Sequence, residues 1–157
     1  MTDRIVVHGT VTLDRFYRAT PARVFAAWSD PKALLRWGSP GEGWHVAYER
    51  FDFQVGGGDR CRFGPEGGET YVTENRYEDI VQDTRIVSSS VMTAGGRRSF
   101  IGLVTVDLRP ERGGCRLVFT EQGAYLDGLD RPEGHEAGWT EMLDKLTLEV
   151  EPAGGGA

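Results

Sequence analysis

Apolar positions along this chain change period twice. Val11 to Arg18 places Val11 and Leu13 on one face and adds the aromatics Phe16 and Tyr17, which predicts a first strand. Thr20 then caps a short helix with Pro21 at its first position, and Val24, Phe25 and Trp28 form its apolar stripe to Ser29. The same grammar repeats with Asp30 as cap, Pro31 next, and Leu34, Leu35 and Trp37 as the buried side, before Gly38 and Pro40 stop it. From Trp44 onward the period falls to two. Strands are predicted near Trp44–Phe53, Arg60–Phe63, Thr70–Asp79, Thr84–Thr93, Ser99–Arg109 and Cys115–Gln122, separated by glycine-rich or Gln82-Asp83 turn signals. A last helix is predicted from about Glu136 to Val150, where Trp139, Met142, Leu143, Leu146 and Val150 share one face.

Connections this short make neighbouring strands antiparallel, and the absence of crossover helices rules out a parallel sheet. The class is α+β: a seven-stranded curved antiparallel sheet around a long C-terminal helix, with two short helices after strand 1. One helix cannot cover so wide a flat sheet. The sheet must curve, leaving a cavity on its concave face beyond the helix, and Gly56-Gly57-Gly58 suits a sharp bend or bulge there.

Composition narrows the function classes. The 157 residues, 39% apolar and 27% charged, suffice for one core, so residues 1–151 are expected to form a single domain, with 152–157 a frayed Gly-rich tail. A net charge of −6 without any dense Lys/Arg cluster speaks against nucleic acid and anionic membrane as partners. The N-terminus lacks a long apolar stretch, so a cytoplasmic location is expected. Cys61 and Cys115, far apart in strand-like segments, read as buried free thiols. A homodimer stays open as a partner.

Several chemistries lack support. His8, His45 and His135 are scattered, so no metal is expected; the glycine triplet leads into a strand rather than a helix, so no nucleotide or other cofactor is expected; and no GxSxG elbow is present. What remains is a lined cavity. Among many aromatics, Trp37, Tyr71 and Trp139 are the preferred wall residues, with core filling the alternative for each. Ser88, Ser89 and Ser90 stand where bulky β-formers belong, which predicts a hollow, partly polar face, with Ser88 and Ser90 as candidate ligand contacts helped by Thr73 and Asn75; a solvent-facing placement is the rival. In the alternation Leu117, Phe119, Glu121 the carboxylate shares a face with large apolar residues, which makes it a candidate to point into the cavity; the alternatives are a structural ion pair and a strand-end carboxylate in water. Phe119 and Leu143 complete the candidate ligand contacts.

Thr20–Pro31 (TPARVFAAWSDP) with Leu35–Trp37 (LRW), Asp52–Gly57 (DFQVGG), Thr120–Gly123 (TEQG), and Gly138-Trp139 followed by Leu143-Asp144 together resemble the heat-shock-protein-90 ATPase activator-like branch of the START-like superfamily. The resemblance spans nearly the whole chain. It implies the helix-grip fold, strand order 1-7-6-5-4-3-2, and a cavity between sheet and C-terminal helix. With strands 1 and 7 adjacent, Arg15 becomes the expected partner of Glu121. Two departures stand out: Gln54 replaces an arginine common in the family, and Glu121 occupies a position where many relatives show histidine.

Members of this superfamily include ligand binders, cyclases and chaperone activators, so fold alone does not choose among them. The leading expectation is a non-catalytic carrier or sensor of a small hydrophobic or aromatic molecule. The alternatives are a polyketide-cyclase-like enzyme using Glu121 with Tyr125 or Tyr71 as acid–base groups, and a chaperone ATPase activator acting through its surface.

Overall fold

A computed structural model describes residues 4–152. Strand β1 (Val6–Tyr17) is followed by helices α1 (Pro21–Ser29) and α2 (Pro31–Trp37), then by β2 (Trp44–Phe51), β3 (Gly58–Pro65), β4 (Tyr71–Val81), β5 (Arg85–Ala94), β6 (Arg97–Glu111), β7 (Gly114–Leu126) and helix α3 (Pro132–Val150). The seven strands form one antiparallel sheet in the order β1-β7-β6-β5-β4-β3-β2. The expected α+β architecture and strand order are therefore present. Except for Pro152, the tail expected to fray lies outside the described residues.

The helix starts follow local chemistry. The Thr20 side chain accepts from the Arg23 amide at 3.1 Å, and Asp30 accepts from the Lys32 amide at 2.9 Å, each placing proline at the first helical position. β1 begins at Val6 rather than Val11, because it pairs with β7 along its whole length, from Val6 opposite Leu126 to Tyr17 opposite Cys115. A continuous ladder partner outweighs the broken alternation of His8-Gly9-Thr10. Likewise α3 starts at Pro132, one turn before the predicted Glu136.

Register shifts at Tyr48/Arg50, Tyr77/Asp79 and Met92/Thr93 bend the β2–β5 half of the sheet. Of the sharp bend or bulge expected at the glycine triplet, the bend is present and the bulge is not: Gly56 turns the chain between β2 and β3 at φ 85°, and Gly58 already belongs to β3. A Cβ on Gly58 would lie 2.1 Å from the Asn75 carbonyl oxygen, so close pairing of β3 with β4 requires glycine there.

α3 packs on β1, α1 and α2. Its buried face of Leu143, Leu146 and Val150 joins one core cluster with Val24, Trp37, Leu117 and Phe119, each aliphatic residue contributing roughly 1.5–3 kcal/mol by burial. The Tyr17 hydroxyl donates to the Leu143 carbonyl at 2.9 Å, and the Arg36 guanidinium holds Glu149 at 2.6 Å. The helix thus seals the β1–β7 side of the concave face.

Candidate functional site

The rest of that face stays open and encloses a cavity of about 520 Å³ between the sheet, α2 and the first half of α3. Registry builds its floor. Asp59 of β3 stands opposite Asn75 of β4, which stands opposite Ser90 of β5; one step along, Tyr77 is opposite Ser88, Ser88 opposite Val104, and Val104 opposite Glu121. Because the side-chain period is two, all of these point to the concave side, while Ser89 points outward and bonds Glu78. Ser88 and Ser90 are 8% and 7% exposed and both line the cavity. Among the described residues, no protein group bonds to either hydroxyl.

Aromatic rings cover the β2–β4 half of the wall. Phe53 meets Tyr77 edge-on at 4.9 Å, and Phe63 stacks on Tyr71 at 5.5 Å. Asp59, 5% exposed, accepts from the Tyr77 hydroxyl at 2.6 Å and from the Asn75 amide at 2.9 Å. Burial raises its pKa, although both hydrogen bonds and the field of Arg50 pull the other way. Cys61, in the same wall, has its thiol pushed up to about 12 by burial, which keeps it protonated and non-nucleophilic.

At the opposite end lies a compact charged cluster. His135 Nδ1 is 2.6 Å from Glu121 Oε1 and its Nε2 is 2.5 Å from Asp130 Oδ2, while the Trp139 indole donates to Glu121 Oε2 at 3.2 Å. With a carboxylate at each ring nitrogen, both nitrogens act as donors and the ring is an imidazolium. Burial lowers the His135 pKa, but the two carboxylates override it and lift it to about 9. The ring packs on Phe100 at 4.5 Å and on Tyr125 at 5.0 Å. Gly102 and Gly123, paired across β6 and β7, make room for Phe100: a Cβ on Gly123 would lie 2.2 Å from that ring.

The structure distributes the sequence-predicted residues unevenly. Tyr71, Ser88, Ser90, Glu121 and Trp139 line the cavity, and Trp139 stacks on Trp28 at 6.0 Å. Trp37 also borders it, yet the residue is 1% exposed and its indole donates to the Ala27 carbonyl at 2.9 Å, so it serves the core as well. Phe119 and Leu143 are fully buried in the core cluster, outside the wall.

The expected Glu121–Arg15 pair does not form. Arg15 stands opposite Leu117, two inward-facing positions along β7 from Glu121, and forms an ion pair with Asp144 of α3 at 3.4 Å. Among the described residues the buried Tyr125 hydroxyl has no hydrogen-bond partner, Glu121 included, and Tyr125 lies outside the cavity wall. Gln54 is exposed and donates to Asp52 at 2.9 Å.

Asp59, Asp130 and His135 went unnoticed as site residues. His135 carried a readable signal, since it lies one turn before Trp139 on the apolar stripe and Pro132 marks the helix start.

No helix of the described residues is long and apolar enough to cross a membrane. The family model described as activator of Hsp90 ATPase homolog 1-like protein matches residues 18–151. Among solved structures, the Mll3558 protein of Rhizobium loti is 40% identical, with 93% of this chain and 99% of that one covered at a TM-score of 0.84. A putative uncharacterized protein of Rhizobium leguminosarum is 34% identical over 94% and 97% of the two chains at a TM-score of 0.85. A protein from Chromobacterium violaceum is 29% identical over 91% and 97%, with a TM-score of 0.78. No curated protein matches the chain.

Proposed function

Because the chain belongs to the activator of Hsp90 ATPase homolog 1-like family, a branch of the START-like superfamily, we propose that it uses the helix-grip cavity to bind a small hydrophobic or aromatic molecule as a carrier or sensor. One observation carries this reading: a cavity of about 520 Å³ walled by aromatic rings holds the Ser88 and Ser90 hydroxyls, to which no protein group bonds among the described residues. A core selected only for stability would fill that space, since interiors pack to crystal-like density. A mostly apolar wall with a few convergent polar groups suits a small-molecule site.

Native mass spectrometry of protein purified from its own host, followed by denaturing extraction, tests the reading. A stoichiometric small apolar molecule is the expected result. A bare mass, together with no thermal shift across a library of aromatic compounds, would remove it.

A catalytic reading draws on the placement of Glu121 in the cavity wall. Its oxygens are held by His135 and by Trp139, so in this arrangement the side chain anchors the cluster that ties α3 to the sheet. Loss of turnover in Glu121→Gln with the fold intact would reverse that judgement. The chaperone-activator alternative draws on the family description and on no feature of the cavity; ATPase stimulation of a heat-shock-protein-90 homologue is its test.

A further inference from the structure

The charges in the cavity wall are unevenly satisfied. Four carboxylates, Asp59, Glu121, Asp130 and Glu141, face two cations, His135 and Lys145. Both cations are committed elsewhere: His135 lies between Glu121 and Asp130, and Lys145 donates to the Ser39 carbonyl at 2.5 Å while lying 4.0 Å from Glu141. Asp59 is the exception. It is 5% exposed and, among the described residues, forms no ion pair; its two donors, the Tyr77 hydroxyl and the Asn75 amide, are neutral, and Arg50 acts on it only through its field.

A buried carboxylate rarely stands without a cation. Each oxygen of Asp59 has accepted one hydrogen bond and keeps a lone pair. The Ser90 hydroxyl, unpartnered and 7% exposed, lies two strands away on the same cross-sheet row, and Ser88 lies beside it. Tyr48, Phe53, Phe63 and Tyr77 line this half of the cavity, and aromatic faces attract cations. An anionic ligand would find the opposite arrangement: among the described residues lining the cavity, the cations His135 and Lys145 are both already engaged.

We propose that the cavity takes an organic amine, with the protonated nitrogen donating to Asp59 and to the Ser90 hydroxyl and the apolar body lying among the rings of β2–β4. This assignment rests on the reading of the cavity as a ligand site. It names the ligand class: an aromatic or aliphatic primary amine in preference to a neutral or acidic molecule of equal size.

Three indoles of matched shape test it by calorimetry on the full chain at neutral pH: tryptamine, 3-ethylindole and indole-3-propionic acid. Tryptamine is expected to bind at least about tenfold more tightly than 3-ethylindole, as a charge-assisted hydrogen bond adds to shared ring burial. In Asp59→Asn that preference should fall to within about twofold, with affinity for 3-ethylindole retained. Should Asp59→Asn fail to fold, judged by circular dichroism, Ser90→Ala should weaken tryptamine about threefold and leave 3-ethylindole unchanged. Equal binding of tryptamine and 3-ethylindole, preference for the acid, or full preference retained in Asp59→Asn overturns the amine assignment while leaving the cavity reading intact. Equal loss of both ligands, or of neither, in Ser90→Ala also overturns it. No binding of any of the three indoles at millimolar concentration removes both.

Discussion

His135 of α3 and Glu121 of β7 meet at 2.6 Å across the end of the cavity, both almost wholly buried, and tie the first turn of the helix to the sheet. Asp130, just before the helix, closes on the other ring nitrogen. This contact fixes where α3 starts over the sheet, and with it the height of the cavity roof.

Replacing His135 by Gln leaves two buried or half-buried carboxylates without their cation. Breaking one side of a buried pair is expected to cost roughly 3–5 kcal/mol. Urea denaturation measures it; a change of a few tenths of a kcal/mol would show the cluster to be wet and weak.

The same cluster has a defined pH window. The folded pKa of His135, about 9, lies above its ordinary 6.5, so its stabilisation is fully present below pH 6.5 and is lost as pH rises through about 9. Melting temperatures across that range should fall in the wild type and fall less in His135→Gln. Parallel profiles in the two proteins would contradict the assignment.

Gly123→Ala should destabilise by about 1–3 kcal/mol, because its new methyl group meets the Phe100 ring at 2.2 Å and that ring supports His135. The expected signature is a chemical shift change at His135 larger than at any residue of β2 or β3. An unperturbed His135 would show that Phe100 yields without transmitting the strain.

Lys145→Ala removes the tie from α3 to the Ser39 carbonyl at the cavity mouth, where Gly41 and Gly43 hold φ of 110° and 83°. Amide exchange is expected to quicken in residues 38–43 alone, with global stability changed by less than about 0.5 kcal/mol. A uniform increase over α3 would place Lys145 in the stabilising framework rather than at the mouth.

Ser88→Ala should leave stability unchanged within about 0.5 kcal/mol or raise it slightly, since the hydroxyl it deletes has no protein partner among the described residues. A loss of more than about 1 kcal/mol in thermal unfolding would point to a hydrogen bond that the structure does not contain.

The class, the strand count and the helix positions were legible because they depend on local rules. Thr20-Pro21 and Asp30-Pro31 announce helix starts wherever they fall, and period-two alternation between glycine turns announces strands. Even the hollow could be read, from serines standing where bulky residues belong. Element limits were less legible: β1 extends to Val6 and α3 to Pro132 because partners distant in sequence hold those ends.

The partners of the charges needed three dimensions. Arg15 and Glu121 share the inward parity of neighbouring strands, so alternation makes them candidates for each other, yet register sets Arg15 opposite Leu117 and hands it to Asp144. Asp59, Asn75 and Ser90 are scattered over three strands and become one row only through pairing. Periodicity along a chain determines which face a side chain takes; it carries no information about which residue of another strand or helix stands opposite. That choice follows from ladder register and helix docking, and it is why the fold could be read from this sequence while the charged chemistry of its cavity appeared only with the tertiary structure.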